Sequence, residues 1–188
     1  MSEEYRRKLI DHAISDQPIL SDFLVNSSSI KLQILGNWDF IAYSYSKAFE
    51  TLWDHAKLDT SDLLLQPLLM LWRQSVELSI KAALVEIEGH IDPSLGHNIE
   101  ALFARLSSAL NQLGYPQNDE FTQGVHAMIT EVQAFDRSAD RFRYPSKRNG
   151  NDFAPVDVEL DKLFQAHLLI TVYCSGAGDQ VAENRRIE

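Results

Sequence analysis

Three ionisable residues stand four apart in one apolar stretch of the chain: Arg73, Glu77 and Lys81. On an α-helix at 100° per residue they fall, with Gln74, in a stripe about 100° wide, and apolar or small residues fill the rest of the wheel. Two chemistries fit that spacing. Facing solvent, the three make a charge ladder worth about 0.3 kcal/mol per pair. Turned inward, they line a polar cleft in which Glu77 orients basic groups arriving from elsewhere in the chain.

A source for those groups exists between positions 137 and 148, where the sequence reads RSADRFRYPSKR. Arg137, Arg141, Arg143, Lys147 and Arg148 stand there against Asp140 alone, a local net of +4 in a chain whose net charge is −10. Arginine interleaved with Phe142 and Tyr144 suits a grip on phosphate with stacking on an unpaired base. A second reading stays open, in which the segment pairs with the acidic surface and Phe142 or Tyr144 plugs the core. Its length favours a functional loop over a plain connection.

Among the six histidines (12, 55, 90, 97, 126 and 167), none belongs to an HExxH or Cys/His cluster, and Cys174 is the only cysteine. No metal centre or cofactor is therefore expected. Gly-rich phosphate loops, nucleophile elbows and dinucleotide fingerprints are also missing. His126 and His167 fall on helical stretches and read as satisfied polar residues. His97 differs, because Gly96-His97-Asn98-Ile99 opens a helix: either His97 or Asn98 caps it, and an imidazole nitrogen then faces a cleft.

The elements that must position these residues are all helical. Gly and Pro punctuate the chain, apolar residues between them recur at helical spacing, and alternating β-branched runs are hard to find. The pattern predicts helices over 3–15, 30–56, a third ending at Glu88, then 99–113, 119–135 and 156–176, with the tail after Gly178 frayed. Asp59, Ser61 or Asp62 is the expected N-cap of the third helix, and Gly89 its C-cap. The expected fold is an all-α antiparallel bundle of about five to six helices in a single domain, with Trp38, Trp53 and Trp72 as core or interface anchors.

Composition narrows the function classes. With 17 Lys+Arg against 27 Asp+Glu, the surface as a whole repels nucleic acid and anionic membrane, so any such ligand must be met locally. The longest apolar run, 63–72, is interrupted by Gln66 and Pro67, too short for a membrane span. A charged start and one cysteine imply a reduced, cytoplasmic protein.

Three pieces in order carry a family resemblance: LLMLWRQSVELSIKAAL, then GHNIEALFARL, then DRSADRFRYP before a last helix. They resemble the HEPN superfamily over about 63–174, with 1–62 as additional N-terminal helices. The resemblance implies a small helical bundle, a homodimer, and a role in prokaryotic toxin–antitoxin or phage-defence systems beside a partner protein encoded nearby. Many HEPN proteins are metal-independent ribonucleases with an Arg-x(4–6)-His motif. None of Arg137, Arg141, Arg143 or Arg148 has a histidine at that distance, since the next is His167.

The leading expectation is thus RNA or nucleotide binding through the basic loop, at a site of Arg73, Glu77, Lys81, Arg141 and Tyr144. A helical interaction module is the alternative. A ribonuclease with a rearranged site is the second alternative, with Arg143 stabilising phosphate charge and His97 as acid and base.

Overall fold

The structure is a computed structural model that describes residues 2–16, 37–147, 149–154 and 157–187, with side chains left out at 13–16 and 187. The chain divides into two compact units, Met1–Gly36 and Asn37–Glu188. In the first, helix α1 (Glu3–Asp16) has two glutamates in its first turn, where they complement the helix dipole. A Glu4–Lys8 pair at 3.0 Å adds to it. The loop expected at 16–29 and the first residues expected in the second helix fall largely outside the described residues.

The second unit holds α2 (Trp38–Ala56), α3 (Leu65–Glu88), α4 (Ile99–Gln112), α5 (Glu120–Phe135) and α6 (Leu160–Ile187), with a 3₁₀ turn at Pro93–Leu95. It is a helical bundle, and among the described residues the only β pairing is an isolated bridge between Ser146 and Asp152. Helix α3 is central: 13 of its 24 residues are buried, and α2, α4 and α6 all pack on it. Helices α2 and α3 are antiparallel, with Ala42 against Ala82 at one end and Leu52 near Leu71 at the other. Helix α6 runs in the same sense as α3, since His167 meets Ser75 and Arg185 meets Ile87.

Local chemistry sets the boundaries. Asn37 is extended and its side chain accepts the Phe40 N–H at 3.2 Å, so α2 starts at Trp38. Asp59 and Ser61 bond to each other and Asp62 takes a positive φ of 56°. None of the three expected caps therefore starts α3, whose N-cap is Leu64. Pro67 lies in the first turn, where its missing N–H costs nothing. Gly89 does close the helix in the left-handed conformation, φ 79°, with its N–H on Val85 O.

The C-terminal tail is not frayed. Helix α6 continues through Gly176 and Gly178 to Ile187, because Val181 is buried and the Arg185 guanidinium donates to Glu86 O at 2.8 Å and Ile87 O at 2.6 Å. Those carbonyls are the unpaired end of α3, so α6 is held down by capping α3. Of the tryptophans, Trp72 is buried and Trp53 donates its indole N–H to Leu160 O at 2.8 Å. Trp38 is 37% exposed and anchors no core.

Candidate functional site

Glu77 is 1% exposed at the middle of the central helix. A lone carboxylate in such a place would be driven to protonate, and the fold instead surrounds it with cations. Arg73 Nη1 lies 3.2 Å from its Oε2, while Lys81 Nζ and His97 Nδ1 each lie 2.8 Å from its Oε1. Burial alone would raise the Glu77 pKa; the hydrogen bonds from Lys81 and His97 outweigh it and hold the group below the ordinary carboxylate value. The stripe read from the sequence is therefore an inward ladder and not a solvent edge.

Arg73 is buried as well. Its Nη2 donates to His97 O at 2.6 Å, tying α3 to the start of α4, and its Nε faces Asp136 Oδ2 at 4.0 Å. Burial pushes the guanidinium pKa down, Glu77 and Asp136 push it up, and the like charge of Arg143 pushes it down again. Asp136 caps the end of α5 and its Oδ1 accepts the Arg141 N–H at 3.0 Å. A second buried carboxylate thus draws the basic segment onto the cluster.

His97 reaches Glu77 because Asn98 does the capping: Asn98 Oδ1 accepts the Ala101 N–H at 3.0 Å, leaving the imidazole unoccupied by that task. The His97 side chain is 62% exposed. In the neutral tautomer whose Nδ1–H donates to the carboxylate, Nε2 is the acceptor.

The basic segment splits into two parts with different roles. Arg141 lies with its guanidinium 3.9 Å from the centre of the Phe135 ring and 5.6 Å from that of Phe153, donates to Ala154 O at 2.7 Å, and its carbonyl accepts from Gln66 at 2.8 Å. It fastens the segment together. Phe142 is buried against Phe135, so it is the plug. Arg143 and Tyr144 are exposed. Arg143 shares a small cavity with Arg73, Glu77, Asp136 and Ala139, and it also lines a groove with Tyr144.

The structure therefore joins Arg73, Lys81 and His97 to Glu77, places Arg143 on a small cavity with Arg73 and Glu77 and on a groove with Tyr144, and turns Arg141 to fastening the loop. The depth ordering is the notable feature. The carboxylates Glu77, Asp136 and Asp140 are buried, whereas Arg143 and the outer edge of His97 face solvent.

Sequence reasoning missed Asp136, Gln66, Phe135 and Phe153. Asp136 directly follows the apolar stripe of α5, and an acidic residue there, set against the dipole, was the available signal. The other three carry no local signature. Buried His167 accepts or donates at Ser75 Oγ, 2.9 Å away, and burial lowers its pKa to about 4. It reads as a neutral core histidine.

Among the described residues no group of three His, Cys, Asp or Glu side chains could hold a metal ion. No helix there is long and apolar enough to cross a membrane. Comparison with protein-family models, curated proteins and solved structures finds no match.

Proposed function

We propose that this protein binds RNA or a nucleotide by its phosphate at the surface where Arg143 and His97 overlie the buried Glu77 cluster. The observation that carries this reading is the depth ordering: Glu77 and Asp136 are inside, neutralised by the buried Arg73 and the nearly buried Lys81, while Arg143 and His97 stand outside, so an otherwise acidic protein offers a local anion site. Arg143 supplies a planar, permanently charged donor set for phosphate oxygens. The resemblance to the HEPN superfamily supports the wider setting: a cytoplasmic homodimer in prokaryotic defence or a toxin–antitoxin pair, with a partner protein encoded nearby.

The test is binding of a short single-stranded RNA at several salt concentrations. Arg143→Ala weakens it and lowers the salt slope by about one. Unchanged affinity and slope would overturn the reading and leave the segment a structural or protein-binding element.

One observation favours a second reading, metal-independent RNA cleavage. The Glu77 carboxylate holds His97 through Nδ1, so that in the neutral imidazole Nε2 is the basic nitrogen available to take the proton from a 2′-hydroxyl, and Arg143, on the cavity beside the same Glu77, would meet charge on the phosphate. Cleavage that survives EDTA and vanishes in His97→Ala supports it. No cleavage of any RNA by the pure protein eliminates it.

A further inference from the structure

A groove of about 460 Å³ opens between the first turns of α3 and the basic segment. Leu65, Leu69 and Phe153 make apolar walls, and the Tyr144 ring, 56% exposed, stands on the groove. Gln66 adds a carboxamide whose Nε2 is committed to Arg141 O, which leaves Oε1 as an acceptor. Arg143 lines this groove and also the small cavity beside Glu77, so it joins the two.

A flat aromatic, an apolar slot, one amide acceptor and a cation at one end are the parts that take an unpaired base with its phosphate attached. Its volume is that of a small-molecule pocket and ample for one base. We propose that this groove receives a single unpaired nucleobase, stacked on Tyr144, whose phosphate is the one held at Arg143. This rests on the phosphate site proposed above and names its ligand class: an unpaired nucleotide, free or within single-stranded RNA.

The occupant follows from the charge and shape of the walls. An acidic peptide would satisfy Arg143 but leave Tyr144 and the slot empty, and a basic one would meet Arg143 as a like charge. A base carrying its own phosphate matches both ends.

The experiment uses the full chain with three probes: a labelled oligoadenylate of four nucleotides, a ribose-phosphate tetramer without bases, and AMP. The oligoadenylate is expected to bind about 5- to 100-fold tighter than the abasic tetramer, the worth of one stacked base. Tyr144→Ala removes most of that difference and Tyr144→Phe keeps it, while Arg143→Ala weakens both tetramers. AMP binding with the same dependence on Tyr144 assigns the site to a free nucleotide; oligoadenylate binding alone assigns it to RNA. Equal affinity for the two tetramers, with both still sensitive to Arg143, overturns the base groove and leaves the phosphate site standing. Failure of all three probes to bind overturns both.

Discussion

His97 Nδ1 lies 2.8 Å from Glu77 Oε1, although Glu77 is buried to 1% and the His97 side chain is 62% exposed. One hydrogen bond thus connects the interior of the bundle to its surface, with Arg73 and Lys81 sharing the same carboxylate from either side along α3. The carboxylate is held by the fold and the imidazole is presented by it.

Removing that carboxylate takes away the ion pair of the nearly buried Lys81 and leaves the buried Arg73 only the more distant Asp136 as a counter-charge. Glu77→Ala is therefore expected to destabilise by about 3 to 5 kcal/mol, which for a chain of this size lowers Tm by roughly 10 °C. Thermal denaturation of the two proteins measures it. His97→Ala, by contrast, leaves Glu77 two cations and shifts Tm by no more than about a third as much.

Acid acts on two groups in separate windows. The folded pKa of His167 is depressed to about 4 from 6.5, so the unfolded chain takes up its proton first as pH falls. Stability is full above about pH 6.5 and is lost toward pH 4, by up to about 3 kcal/mol. Urea unfolding across this range shows the slope, and His167→Gln flattens it.

Glu77 titrates lower. Its folded pKa lies below the ordinary 4.5, so its contribution is present above that value and disappears as pH falls through the folded value beneath it. The same urea series carried to pH 3 in Glu77→Gln loses this last part of the acid limb.

Arg141 and Arg143 are neighbours in sequence with opposite expected phenotypes. Arg141→Ala loses the stack on Phe135 and the bond to Ala154 O, a loss of about 1 to 2 kcal/mol, and opens 141–154 to limited proteolysis. Arg141→Lys fails to restore it, since an ammonium neither stacks nor forks. Arg143→Ala leaves Tm and proteolysis unchanged and reduces RNA affinity.

The end of α6 depends on one side chain. Arg185→Ala frees the Glu86 and Ile87 carbonyls and releases the last turns of α6. Hydrogen exchange then speeds up in 182–187 and at the end of α3, with Val181 and the rest of the helix still protected.

The choice of Asn98 over His97 as the cap of α4 came from the folded chain, whereas the amino-acid order alone established that the chain is helical and where most helices lie, because apolar periodicity and the C-capping Gly89 act locally. It also showed that Arg73, Glu77 and Lys81 share one face, since that follows from helical pitch alone. It left open whether that face was wet or buried, because the wheel is blind to what packs on it. It misplaced the end of α6 for the same reason: a charged tail with two glycines looks frayed until Arg185 has the carbonyls of α3 to bond. Only the tertiary structure decided that His97 and Arg143 converge on Glu77 while Arg141 turns away to Phe135 and Phe153. Glu77 lies 20 residues from His97 and 66 from Arg143, and Arg141 reaches rings 6 and 12 residues away, so the choice among several nearby arginines was made by which buried carboxylate and which ring the folded chain brought within reach.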